Sequence, residues 1–281
     1  MQNLDQWLAD NQHGRIIASK PLSGGCVNQV SYITTETDAE FCLKQNPNRP
    51  KDFFICEAGN LSALKASKCF RVPEVIHVAD NYLLLEFIPG GPRHSNYWQT
   101  LARQLADCHS LAQKDFGFHR DNYCGQTLQI NATCKNGYEF FAERRLLVQM
   151  RWASDKGLLD NPLVRGIEKL ALRLEQLIPS QPAALLHGDL WSGNLHSDES
   201  GQPVLIDPAC YWGWPEADLA MTSLFGGFSK EFYQHYIEHQ PLESGWRDRF
   251  PIYNLYHLLN HLNLFGKAYL ADIKAVLNRF T

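Results

Sequence analysis

The chain has 281 residues, 44% of them hydrophobic, enough for one large or two modest domains with buried cores. Its longest apolar runs, such as Tyr82-Leu83-Leu84-Leu85, are strand-sized and exclude a membrane-spanning helix. A net charge of −4, with 7 Trp and 11 Tyr spread singly, offers no basic field or basic-aromatic stripe for nucleic acid.

The start, Met1-Gln2-Asn3-Leu4-Asp5, lacks the basic residues and apolar core of a signal peptide, so a cytoplasmic protein is expected. Cys26, Cys42, Cys56, Cys69, Cys108, Cys124, Cys134 and Cys210 contain no C-x-x-C pair, and free, mostly buried thiols are the expectation.

Leu4, Trp7 and Leu8 recur at helical spacing and predict a short first helix. From Arg15 to about Gln45 the pattern turns to strands: Ile16-Ile17 opens one, Val30 to Thr34 alternates as a second, and Phe41 to Lys44 makes a third. Between the first two lies Leu22-Ser23-Gly24-Gly25-Cys26-Val27-Asn28-Gln29. Gly24 and Gly25 would let backbone N–H groups approach phosphates, although a glycine pair between strands is also an ordinary hairpin turn.

Lys44 closes the third strand, and Glu57 lies in a helix predicted over Asp52 to Ala66, with Phe53, Ile55, Ala58, Leu61 and Leu64 as apolar positions. Phosphoryl transfer from a nucleotide uses a strand lysine on the phosphates, held by a helix carboxylate, and a buried lysine without such a partner is costly. Two more strands follow, Pro73 to Val78 and Tyr82 to Phe87. The second runs into Glu86-Phe87-Ile88-Pro89-Gly90-Gly91-Pro92, whose crowded Pro and Gly mark a boundary. In a two-lobed kinase this is the hinge, Glu86-Phe87-Ile88, where the backbone C=O of Glu86 and N–H of Ile88 are expected to pair with adenine; a simple interdomain linker is the alternative, and both can hold. The expected division is residues 1–88 as nucleotide-binding lobe and 89–281 as helical lobe carrying catalysis and the acceptor site.

Helical stripes then follow over 95–112 (Leu101, Leu105, Cys108, Leu111), 138–152 (Phe140, Phe141, Leu147, Met150) and 163–178 (Leu163, Ile167, Leu170, Leu174, Leu177). The connection from Asp115 to Lys135 is long for a compact domain and is read either as a wall of the acceptor site or as a surface loop.

The most informative stretch is 185–228. His187-Gly188-Asp189 is followed by Asn194, and a polar turn leads into Val204-Leu205-Ile206, which ends on Asp207. Transfer of a phosphoryl group to a hydroxyl needs a carboxylate to orient the hydroxyl and take its proton, plus oxygen ligands for Mg²⁺. Asp189 fits the first role, and Asn194 and Asp207 fit the second. His187 is read as holding the loop. Pro208-Ala209 in place of Phe-Gly argues against a flipping activation segment. Asp218, early in a helix begun by Pro215, is expected to brace the loop by accepting backbone hydrogen bonds, with helix capping as the competing role. Three further helices are predicted to Thr281, with Phe232, Tyr233, Tyr236 and Ile237 among the apolar positions of the first.

Several of these segments together resemble the fructosamine/ketosamine kinase family. They are Ser23 to Gln29, Asp121-Asn122-Tyr123-Cys124-Gly125, Phe140-Phe141 before Arg144-Arg145-Leu146, His187 to Asn194, Asp207-Pro208-Ala209, Tyr211-Trp212-Gly213, and Glu216 through Leu224-Phe225-Gly226-Gly227-Phe228. HGD-x-x-x-x-N alone indicates only the aminoglycoside and choline kinase superfamily. Trp191, the Asp-Pro-Ala acid and Leu-Phe-Gly-Gly-Phe narrow it.

The resemblance implies an α+β, two-lobed protein-kinase-like fold, with a small antiparallel-sheet lobe and a larger helical lobe. It implies transfer from ATP, with Mg²⁺, to the O3 hydroxyl of a ketoamine, after which the adduct decomposes and frees the amine. Asp189 is then the base, Asn194 and Asp207 the metal ligands, Lys44 the phosphate lysine with Glu57 as partner, and Trp191 a cover for the sugar or amine chain or else a core residue. Cys26, in the loop that admits ATP, is expected to be either a redox-sensitive thiol or an inert small residue. Another acceptor, such as an aminoglycoside or choline-like alcohol, and a catalytically silent nucleotide-binding scaffold are the alternatives. A monomer and a homodimer are both compatible with the sequence.

Overall fold

The computed structural model describes residues 4–22 and 28–281, so Gly24, Gly25 and Cys26 lie outside the described residues. Helix α1 (Leu4–Asp10) precedes strands β1 (Ile16–Pro21), β2 (Gln29–Thr35) and β3 (Glu40–Gln45). Helix α2 (Phe53–Ser67) and strands β4 (Val75–Ala79) and β5 (Tyr82–Glu86) complete a five-stranded antiparallel sheet of order β1-β2-β3-β5-β4. The two-residue period of a strand explains how β5 is buried on both faces. Tyr82 and Leu84 join Leu4, Leu8, Ile33, Phe41 and Leu43 under α1, whereas Leu83 and Leu85 face the main core with Phe53, Phe54, Leu61 and Leu64 of α2.

Beyond the sheet come α3 (Tyr97–His109), β6 (Ala112–Gln113) and a small hairpin, β7 (Asn122–Cys124) with β8 (Thr127–Gln129). Helices α4 (Gly137–Phe141) and α5 (Val148–Asp155) are joined by a π-helical segment, Ala142–Leu147, so the stripe over 138–152 belongs to one run with a widened turn. The stripe over 163–178 is divided into α6 (Asn161–Ala171) and α7 (Leu174–Leu177). Between them, Arg173 Nη1 donates to the Phe280 carbonyl at 2.6 Å.

The 185–228 stretch is built on β9 (Ala183–Leu186), β10 (Leu195–Ser197), β11 (Pro203–Leu205) and β12 (Tyr211–Gly213). Strand β9 lies between β12 and β6, and β10 pairs with β11. Helices α8 (Pro215–Leu224), α9 (Lys230–His239), α10 (Trp246–Phe265) and α11 (Leu270–Phe280) close the fold, with α8 against α10 and α9 against α3.

Three positions read as core are exposed: Ile55, Leu111 and Ile237. Leu111 lies past the end of α3, so helical periodicity no longer applies to it, and the buried stripe of α2 runs through Phe54, Ala58, Leu61 and Leu64 instead of Ile55. Among the described residues seven cysteines are free, and no helix is long and apolar enough to cross a membrane.

Candidate active site

Two cavities meet at Asp207. The first, about 340 Å³, is lined by Leu22 just past β1, by Val30 and Lys44 of the sheet, by Glu86, Phe87 and Ile88 at the end of β5, and by His196 and Asp207 from the 185–228 stretch. The second, about 120 Å³, is lined by Tyr123 and Gly125 of the β7–β8 hairpin together with Glu57, Asp189, Trp191, Asn194 and Asp207. Asp207 belongs to both walls. The long 115–135 connection lines the second cavity through a hairpin that periodicity does not reveal.

Lys44, on β3, is buried and ion-paired with both Glu57 of α2 and Asp207. Burial works against its charge, but the carboxylates of Asp207 and Glu57 outweigh it and raise the ammonium pKa above the ordinary lysine value. Burial raises the Glu57 carboxyl pKa, with the charge of Lys44 opposing. One ammonium thus faces two carboxylates, a balance that favours a further cation.

The loop after β9 turns sharply. Gly188 has φ +81°, and a Cβ there would lie 2.0 Å from the Ala209 carbonyl oxygen, so only glycine fits. Asp218 accepts the backbone N–H groups of His187 at 2.7 Å and Gly188 at 2.9 Å. Its own helix, α8, begins at Pro215 with no side-chain cap, so the carboxylate serves the loop. Burial opposes its ionisation, but the hydrogen bond and charge of His109, with His187 and the Gly188 N–H, hold its pKa below the usual value.

His187 is buried, and its Nε2 bonds the Ile206 carbonyl at 3.0 Å while Nδ1 receives the Asp189 N–H at 3.3 Å. Burial lowers its pKa, and the two contacts fit a neutral ring protonated at Nε2. Asp189 is half-buried and pushed up to about 7 by burial, with the Asn194 amide opposing and the charges of Asp207 and Asp218 adding. Asn194 Nδ2 donates to the Asp189 carbonyl at 2.8 Å and to its carboxylate at 3.2 Å, which leaves the lone pairs of Asn194 Oδ1 for a cation. That oxygen and the Asp207 carboxylate, whose side chain is 42% exposed, form the hard oxygen set that Mg²⁺ takes, so these residues fit the ion.

Asp207 has φ +55°, a left-handed backbone that costs a non-glycine residue about 1–2 kcal/mol. The chain after it is pinned at successive residues. Asn60 Nδ2 of α2 donates to the Pro208 carbonyl at 2.8 Å, Gln129 Nε2 of β8 to the Ala209 carbonyl at 3.0 Å, and Asn122 Nδ2 of β7 to the Cys210 carbonyl at 2.8 Å. The Ala209 N–H returns to the His187 carbonyl at 2.8 Å. Asn122 is the hub: it also donates to Asn60 at 2.8 Å and accepts from Gln129 at 2.8 Å and Asn131 at 2.9 Å.

Behind this network Arg145 is fully buried and, among the described residues, has no carboxylate partner. It donates to the Ile130 carbonyl and Asn131 Oδ1, both at 2.7 Å, and its guanidinium lies 4.0 Å from the Tyr211 ring centre and 4.6 Å from that of Phe140. Sequence reasoning did not find Asn60, Gln129 or Asn131 as members of this scaffold. Only the Asp121-Asn122 run carried a signal, as a long polar connection.

Trp191 is half-buried on the second cavity and meets Phe225 edge-on at 6.2 Å. At the other cavity, Arg71 pairs with Glu86 and with Asp198 on the β10–β11 turn, both at 3.1 Å, and His196 Nε2 bonds the Ile88 carbonyl at 2.9 Å. The end of the sheet is thereby fastened to the 185–228 stretch.

The fructosamine kinase family profile matches residues 1–281. This chain belongs to the fructosamine kinase family. This family member is 40% identical over 277 residues to an Enterococcus faecium protein described as a probable ketoamine kinase, covering 95% of this chain and 96% of the other. It is 35% identical over 286 residues to the chloroplastic protein-ribulosamine 3-kinase of Arabidopsis thaliana, covering 98% and 86%.

A solved structure from Thermobifida fusca, described as a putative fructosamine-3-kinase, superimposes with a TM-score of 0.89 at 30% identity over 99% of this chain and 98% of the other. An aminoglycoside phosphotransferase solved with streptomycin and ATP matches at a TM-score of 0.66 and 14% identity, over 99% and 97%, and shows the shared kinase-like fold. The two-lobed α+β expectation is therefore met. As a member of a kinase family, the chain uses ATP.

Proposed function

We propose that this fructosamine kinase family member transfers the γ-phosphoryl group of ATP to the O3 hydroxyl of a ketoamine. The reading is supported above all by Asp207, which stands in the walls of both cavities, as a residue between nucleotide and acceptor must. Residues 1–88 are the nucleotide-binding lobe and 89–281 the lobe for catalysis and acceptor binding. The backbone of Glu86 to Ile88 takes adenine, and Lys44, steadied by Glu57, takes the phosphates. Asn194 and Asp207 hold Mg²⁺, which when bound neutralises charge on the transferring group.

Asp189 orients the acceptor hydroxyl and receives its proton. A carboxylate with a pKa near 7 is a stronger base than a free aspartate and is still half-ionised at neutral pH. Trp191 offers an indole face for the sugar ring or the amine-bearing chain. The acceptor class follows the names of the relatives, of which one is a ribulosamine 3-kinase. Once phosphorylated, the adduct decomposes and releases the amine, which makes the activity a deglycation step. Its place of action in this reading is the cytoplasm.

The test is acceptor profiling with ATP and Mg²⁺. A fructose- or ribose-derived ketoamine should show kcat/KM well above choline, kanamycin or a protein serine. Equal activity on choline or kanamycin would point to another small-molecule kinase of the superfamily, and no turnover on any of them to a silent scaffold.

A further inference from the structure

Cys124, Asp189 and His257 come from three different elements, the β7 strand, the catalytic loop and helix α10, yet their donor atoms all lie within 4.8 Å of one another. A tetrahedral zinc site with bonds of 2.0–2.3 Å separates its donors by about 3.3–3.8 Å, so a displacement of about 1 Å brings the three into range. The elements are already tied together. Asn260 Nδ2 of α10 bonds the Cys124 carbonyl at 3.4 Å, and Tyr256 of the same helix donates to Gln129 on β8 at 2.9 Å.

Cys124 and His257 are buried, whereas Asp189 lines the second cavity beside Gly125, the residue next to Cys124. That wall is the entry path for an ion. The donor set of one thiol, one imidazole and one carboxylate is unlike the all-oxygen pair of Asn194 and Asp207. It suits zinc and its softer relatives and does not suit Mg²⁺.

We propose that Cys124, Asp189 and His257 form a site for a thiophilic divalent cation of the zinc class, and that its occupancy inhibits the kinase. On binding, the Cys124 thiol releases its proton to solvent and the thiolate takes the metal, with the His257 lone pair and the Asp189 carboxylate completing three protein ligands. A carboxylate committed to the metal no longer accepts the proton of the acceptor hydroxyl. The inhibitory half rests on the reading of Asp189 as the base, and the site itself does not.

The experiment titrates Co²⁺ into the full-length, metal-free protein and follows the sulfur-to-cobalt charge-transfer band, with Zn²⁺ as competitor. Wild type should show the band and Zn²⁺ should abolish it. Cys124→Ser should lack it, and His257→Gln should bind Co²⁺ at least about tenfold more weakly. Asp207→Asn should leave it intact, since an ion held there touches no sulfur. Circular dichroism establishes that each variant is folded, and if Cys124→Ser is not, His257→Gln carries the test.

No band in wild type, or a band that persists in Cys124→Ser, overturns the site. In the activity arm, Zn²⁺ should inhibit ATP turnover, with the inhibition constant at least about tenfold higher in His257→Gln. The cobalt band behaving as stated while Zn²⁺ leaves turnover untouched would uphold the site and overturn Asp189 as the base.

Discussion

Asp218 accepts the backbone N–H groups of the loop residues His187 and Gly188, the latter at 2.9 Å, although it lies 30 residues further along the chain. The carboxylate thereby holds the turn on which Asp189 is carried. Asp218→Asn keeps the shape but removes the charge and puts a donor amide where an acceptor is needed. It should cost about 1–3 kcal/mol of stability and lower kcat at least about tenfold, with the ATP Kd changed less than about threefold. Urea denaturation, steady-state kinetics and nucleotide titration read the three quantities.

Asp189→Asn should retain ATP binding and lower turnover at least about a hundredfold, because general-base positioning contributes that much. Near-wild-type turnover would remove Asp189 from the role of base. In wild type, kcat/KM should fall about tenfold per pH unit below about 7, the pH at which the buried carboxyl becomes protonated.

The same raised pKa has a stability consequence of defined sign. Between its ordinary value of 3.8 and about 7, Asp189 is ionised in the unfolded chain and neutral in the folded one. Unfolding therefore releases a proton, and stability falls as pH rises through this window, the full cost being present above about 7. Asp189→Asn lacks the group, so its melting temperature relative to wild type should be a few degrees more favourable at pH 8 than at pH 5. Scanning calorimetry at the two values checks it, and a smaller relative gain at pH 8 would contradict the burial argument.

Asp207→Asn should raise the Mg²⁺ concentration needed for half-maximal turnover at least about tenfold, since it removes the charged member of the oxygen pair. It also leaves Lys44 with Glu57 as its remaining carboxylate in the cluster. An unchanged metal titration would count against Asp207 as a ligand.

Asn122 makes four hydrogen bonds from a fully buried position. Asn122→Leu deletes them and leaves the Cys210 carbonyl and the Asn60, Gln129 and Asn131 side chains short of partners. A loss of about 3–5 kcal/mol in urea denaturation is expected, because several buried polar groups lose a bond together. A loss below about 1 kcal/mol would show that the network is readily replaced by packing.

The sequence by itself determined the strands of the five-stranded sheet, the main helices and the residue types that line the cleft. The short, continuous apolar run Tyr82 to Leu85 predicts a strand buried on both faces, and Asp189, Asn194 and Asp207 stand out because their types and spacing match the pattern expected for one reaction. Lys44 and Glu57 were legible for the same reason, lying in adjacent elements. Tertiary structure alone decided how the segment after Asp207 is held, since Asn60, Asn122 and Gln129 reach it across separations of 80 to 148 residues. No local pattern marks such residues, because an asparagine in a turn and one that donates to a distant carbonyl look alike until the chain is folded. The left-handed Asp207 and the approach of Cys124 and His257 to Asp189 arise in the same way. They depend on where packing places backbones that are far apart in sequence, and hydrophobic period reports only which face of each element is buried.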